Sequence, residues 1–172
     1  MVEYETSINK TAVGEQLHAG NSSAFTRYKN KAAGDLSLGR FFLYEGFALL
    51  LANLGGALGY LLRGIAARYL FRSVGRGLIL GRGLVVRHPR RIVFGTNVAV
   101  DDAVFLDAGG CGEAGMQFGD GVVLSRNCSV QGKLGFVVFG ERVDVGCNCV
   151  FSSVAGMTIG ASTIIAGNCY IG

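Results

Sequence analysis

Four bulky apolar residues, Phe94, Phe118, Phe139 and Ile159, are each followed by glycine and recur at intervals slightly longer than three steps of six. Between them the chain repeats in steps of six. The first hexad positions are Phe94, Val100, Leu106, then Phe118, Leu124, Val130, then Phe139, Val145, Phe151, then Ile159, Ile165, Ile171. All twelve are apolar, and six of the twelve residues that follow them are glycine. A six-residue period with one inward apolar side chain and one small corner residue is the sequence form of a parallel β-helix. Three hexads make one coil, and the few residues left over in each interval fit loops at a single corner. The spacing therefore predicts a ladder of Phe94, Phe118, Phe139 and Ile159, with strands about 4.8 Å apart. The fourth hexad position carries Asn97, Asn127, Asn148 and Asn168. Asparagine tolerates a left-handed backbone, so a turn role accounts for it.

Cysteine follows the same period. Cys128, Cys149 and Cys169 recur once per coil, at the fifth hexad position. They read as a stacked column of small hydrophobes. Zinc is the alternative, but the chain has no pair of Cys-x-x-Cys motifs and no histidine in the repeats. Five cysteines, an odd number, argue against a disulfide framework and for a reducing compartment.

The chain ahead of the repeats divides in two. Residues 1–38 are polar and without period, and a mobile tail is expected there, with no signal peptide. Residues 39–76 are apolar and amphipathic. The run from Phe47 to Leu62 carries no charge, yet it is short of the roughly 20 residues needed to cross a bilayer. Asn53-Leu54-Gly55-Gly56 interrupts this run, which predicts two short helices rather than one. Arg68, Arg72 and Arg76 recur at every fourth position along one side. Two helices lying in a membrane interface fit this pattern, and a helix pair packed on the β-helix or on another subunit is the alternative. The net charge of +4 is concentrated in Arg63, Arg68, Arg72, Arg76, Arg82, Arg87, Arg90 and Arg91. A basic zone beside an apolar segment points to anionic lipid rather than nucleic acid, since no aromatic platform alternates with it. Residues 77–172 are assigned to the β-helix. Residues 60–92 are expected to cap its N-terminal end, and no cap is legible at Tyr170-Ile171-Gly172.

Phe118-Gly119-Asp120-Gly121-Val122, Val145-Gly146-Cys147-Asn148-Cys149, Met157-Thr158-Ile159-Gly160 and Ile164 to Ile171 together resemble the hexapeptide-repeat acyltransferases. Leu54-Gly55-Gly56-Ala57-Leu58-Gly59 and His88-Pro89-Arg90-Arg91-Ile92 look like the membrane-associated, bacterial envelope-glycan members of that group. The resemblance implies an all-β, left-handed parallel β-helix assembled as a trimer. It implies acyl transfer from acetyl-CoA to a sugar or lipid-linked glycan at the cytoplasmic face of the membrane. The family's general base is a histidine that would fall a little way beyond Gly172. Only His18 and His88 are present and neither matches that position, so no catalytic residue is assigned. A hydrogen-bonded corner role is the better reading of His88. Asn148 matches a family asparagine that contacts the acceptor, although Ser152-Ser153 replaces the acidic partner expected after it. A turn role alone is the competing reading of Asn148. The competing function is a non-catalytic β-helix scaffold held on the membrane. A nucleotidyltransferase is excluded for want of a Gly-rich loop after a strand in residues 1–76, and a three-histidine zinc enzyme for want of ligands.

Overall fold

The computed structural model describes residues 23–34 and 36–172. From Ser73 onward the chain winds through five coils, each of three short strands. Stacked coils form three five-stranded parallel sheets. One sheet runs through Ser73–Val74, Ile92–Phe94, Met116–Phe118, Val137–Phe139 and Met157–Ile159. The architecture is a parallel β-helix, as the hexads imply.

The register matches the repeat at every first position. Phe94 pairs with Phe118, Phe118 with Phe139, and Phe139 with Ile159. Val100, Leu124, Val145 and Ile165 align on the second side, and Leu106, Val130, Phe151 and Ile171 on the third. The rings of Phe94, Phe118 and Phe139 stack at 5.1 and 5.2 Å, with 14° between planes. Burying each such side chain contributes about 1.5–3 kcal/mol. The extra residues lie at one corner, between Asp107 and Met116, Gly132 and Val137, and Ser153 and Met157. In the last coil Ile159, Ile165 and Ile171 are only half-buried.

The solenoid begins at Ser73, slightly ahead of the boundary at 77. Its first coil is a full one: Val74 pairs with Phe94, Leu80 with Val100 and Val86 with Leu106. Pro89 opens a 3-10 turn, Pro89–Arg91, at the corner that closes this coil.

The polar tail set at 1–38 is helical over its described part. Helix α1 spans Ala24–Ala32, with Ser23 Oγ accepting from the Thr26 N–H at 3.2 Å as its N-cap. Its end is fixed to the solenoid, where the His88 N–H donates to the Ala32 carbonyl at 3.0 Å. Residues 1–22 of that tail lie outside the described residues.

Residues 39–76 form two helices with a break where the glycines predicted one. Helix α2 spans Leu38–Gly46 and continues as a π-helical turn, Phe47–Leu51; helix α3 spans Gly56–Leu70. One face of this pair is buried, through Phe41, Tyr44, Phe47, Ala66, Ala67 and Leu70, with Phe41 against Phe25 and Tyr28 of α1 and Tyr44 reaching the solenoid at Val86. The other face is open, with Leu49 and Leu50 at 74% and 72% exposure and Leu38, Phe42, Leu58 and Leu61 also exposed. Among the described residues, no helix is long and apolar enough to cross a membrane. Arg68, Arg72 and Arg76 do not share a helical side, because α3 ends at Leu70 and Arg72 and Arg76 enter the first coil.

The contact between helices and solenoid follows from hydrogen-bond direction. The carbonyl of a first-position residue accepts from the coil before it: Phe118 from Gly95 at 2.8 Å, Leu124 from Asp101 at 2.9 Å. The first coil has no coil before it, and an open sheet edge carries unpaired backbone groups. The helices supply donors there. Tyr44 Oη donates to the Val86 carbonyl at 2.9 Å, and Arg63 Nε to the Leu80 carbonyl at 2.8 Å. Arg63 Nη1 also donates to the Leu54 and Leu51 carbonyls, at 2.6 and 3.1 Å. Arg63 is 3% exposed, and among the described residues its hydrogen bonds go to carbonyls alone. Burial lowers its pKa, yet guanidinium stays charged, as the carbonyls at the break between the helices require. Gly59 makes room for it, since a Cβ there would collide with the Leu54 carbonyl.

Candidate functional site

The asparagine column is the polar feature that the fold places most regularly. Asn127, Asn148 and Asn168 are all left-handed, with φ of 61°, 60° and 63°. Asn97 is left-handed too, at 54°, on another corner. The turn role read from the sequence is thus realised. The same conformation brings the side chains into line along the outside of one edge. Asn127 Nδ2 donates to Asn148 Oδ1 at 3.1 Å, and Asn148 Nδ2 donates to Asn168 Oδ1 at 3.1 Å. Asn148 is exposed, and each end of its amide retains capacity for one further bond. Such a ladder presents paired donors and acceptors to solvent, the chemistry that recognises hydroxyl groups.

Ser152 and Ser153, which stand where the acidic partner was expected, do not complete an acid–amide pair. Ser153 is buried; its Oγ donates to the Phe136 carbonyl at 2.9 Å and accepts from the Gly156 N–H at 3.1 Å. It fastens the corner loop. Ser152 is half-buried on the outer face of its strand.

The cysteine column is internal. Cys128 and Cys149 are buried, and their thiols donate to the Gly146 and Ala166 carbonyls, both at 3.1 Å. Burial pushes the Cys128 thiol up to about 11, so it is no thiolate nucleophile at neutral pH. Among the described residues, no group of histidine, cysteine and acidic side chains is placed to hold a metal ion.

His88 lies elsewhere. It is buried and left-handed, with φ of 53°. Its ring packs between two glycines: a Cβ on Gly34 would come within 2.5 Å of Nδ1, and one on Gly109 within 3.2 Å of Cδ2. It belongs to the first coil and to a different corner from Asn148, which is in the fourth coil. At coil spacing the two are about 14 Å apart along the axis alone. The corner role of His88 stands, and the two candidates do not converge. His18 lies outside the described residues.

The basic zone is also partly spent on structure. Arg63 is internal, Arg82 pairs with Asp102 at 3.2 Å, and Arg87 with Asp107 at 3.1 Å. The partners of each pair are separated in sequence by one coil, so each pair bridges stacked turns. Sequence reasoning missed both, although the spacing was its own period.

No family model and no curated protein matches the chain. Solved structures similar to it include the serine acetyltransferase of Neisseria gonorrhoeae in complex with serine, 22% identical with a TM-score of 0.39 over 69% of this chain and 48% of that one. A second structure of the Neisseria enzyme gives 19% identity and a TM-score of 0.29, over 73% of this chain and 45% of that one. Serine acetyltransferase isoform 3 of Entamoeba histolytica in complex with cysteine gives 14% and 0.29, over 95% of this chain and 56% of that one. The chain spans about half the length of these proteins.

Proposed function

We propose that the chain is the β-helix of an acyltransferase that moves an acetyl group from acetyl-CoA to a hydroxyl of a sugar or lipid-linked glycan. The observation that carries this is the exposed amide ladder of Asn127, Asn148 and Asn168 on hexads resembling those of the acyltransferases. In this reading Asn148 binds the acceptor and acyl-CoA is a co-substrate. A homotrimer follows from the resemblance. The open apolar face of α2 and α3 supports a further element, peripheral attachment to an anionic membrane surface at its cytoplasmic side. Transfer needs a base to take the hydroxyl proton, a contribution of about 10²–10⁴-fold. His88 is enclosed at the wrong corner for that task, so the base is expected outside the described residues.

The second reading is a non-catalytic scaffold, and the enclosure of His88 favours it. Calorimetric titration separates the two. The acyltransferase reading expects saturable binding of acetyl-CoA, and of a sugar acceptor whose affinity falls roughly tenfold in Asn148→Ala, the worth of one or two hydrogen bonds. Absence of acetyl-CoA binding under any condition favours the scaffold.

A further inference from the structure

A small basic pocket opens where α1 and α2 meet the end of the first coil. Ala33 and Leu36 line it together with Arg40, His88, Arg90 and Arg91, around a volume of about 220 Å³. Three arginines thus line one cavity, and among the described residues no carboxylate lines it. Asp35, beside Leu36 in the sequence, lies outside the described residues.

Two of the three arginines are held in place. Arg90 Nη1 donates to the Phe71 carbonyl at 2.8 Å, and Arg91 Nη1 donates to the Gly109 carbonyl at 2.5 Å. Each guanidinium carries five N–H donors in a fixed fork, so both retain several for a ligand. Arg40 comes from the opposite side, on α2, and makes no hydrogen bond or ion pair with the described residues. Like charges gathered in a cleft repel one another, and an anion of two charges would reverse that cost.

We infer that this pocket binds a phosphate group. Planar guanidinium forks from a helix and a turn suit a tetrahedral oxyanion, which can accept bidentate bonds from such forks. The volume lies below the roughly 300–1,000 Å³ of pockets for drug-sized ligands, so it takes a phosphate head rather than a whole nucleotide. The phosphate belongs either to a soluble phosphomonoester or to a lipid headgroup. The site is separate from the asparagine column and does not rest on acyl transfer.

The test uses the full chain. Inorganic phosphate and glycerol phosphate are titrated by calorimetry, and vesicles of phosphatidylcholine with and without phosphatidic acid by flotation. Arg40→Gln removes the one of these three arginines that makes no hydrogen bond or ion pair with the described residues, so the fold is expected to survive, as circular dichroism would verify. Arg126→Gln, on an exposed arginine of the solenoid, controls for general charge. The pocket predicts saturable phosphate binding that falls roughly tenfold or more in Arg40→Gln and is unchanged in Arg126→Gln. Equal loss in both arginine variants would reduce the effect to net charge and overturn the inference. So would the absence of any saturable binding to phosphate, glycerol phosphate or phosphatidic acid vesicles. Binding of the soluble phosphates with the Arg40 dependence supports a soluble ligand. The same dependence seen only on phosphatidic acid vesicles supports a lipid.

Discussion

Replacing Arg63 with Met should loosen the helical cap from the solenoid without disturbing the coils beyond it. Methionine keeps much of the apolar stem, so little packing is lost. What disappears is the donor to three carbonyls, those of Leu80, Leu54 and Leu51. Each unmet buried acceptor costs about 1–3 kcal/mol. Leu51 and Leu54 are half-buried and water can reach them, so their cost sits near the bottom of that range. The sum is about 3 kcal/mol. In a chain of this length that is roughly 6–12 °C of melting temperature. A solenoid opens in units, so the loss should be local. Hydrogen exchange is the suitable assay: amides of Leu38–Leu70 should exchange faster, while those of Met116–Phe139 stay protected. A variant that melts within about 1 °C of the parent, with unchanged exchange over the helices, would refute the capping role of Arg63.

Alkaline stability should depend on Tyr44. Burial, with the neighbouring Tyr28 and Glu45, pushes its hydroxyl up to about 12 from an ordinary value near 10. A raised folded-state pKa means stability present below pH 10 and lost as pH climbs toward 12; Tyr44→Phe should melt lower at pH 8 but lose less across that window. Phe139→Asp would set an unpaired charge between Phe118 and Ile159 and should cost several kcal/mol, read by chemical denaturation; a parental midpoint would disprove the ladder register. The chain should bind anionic liposomes in a salt-sensitive way, and Leu49→Gln with Leu50→Gln should weaken that binding roughly tenfold or more. Unchanged flotation would assign the open helical face to a protein partner.

The coils were legible because a solenoid repeats its demands. Each inward position needs an apolar side chain, and left-handed corners favour glycine or asparagine, so Phe94 to Ile171 announces most of both, Ala103, Arg142 and Ser162 being left-handed corners of other types. The first coil obeys the same rule, in Val74-Gly75, Leu80-Gly81 and Val86, but it is crowded by arginines that mask the period. Arg63 was unreadable for another reason. Its partners are carbonyls, which every residue has, so its role depends on where α3 lands and on no side-chain pattern. Helix α1 was hidden by its polarity. Only Ala32 within it is buried, and the one local sign was the Ser23 cap. For the site, the Asn148 corner was visible, but the side-chain ladder joining three asparagines needs coils in register. The phosphate pocket gathers Arg40 from a helix and Arg90 and Arg91 from a turn that lies beyond α3 and the whole first coil, a meeting that only the packed fold produces.

Thiol release from acetyl-CoA, measured with a panel of sugars and lipid-linked sugars, tests the functional account most directly. With His88 enclosed in the first coil and no other base placed among the described residues, the present chain should show no turnover above background, since an unassisted hydroxyl is a poor nucleophile. A longer form carrying a histidine in the loop after Gly172 should turn over, and lose activity when that histidine becomes alanine. Robust turnover by the present chain, abolished by His88→Ala, would contradict the account and move the active site to the corner of the first coil.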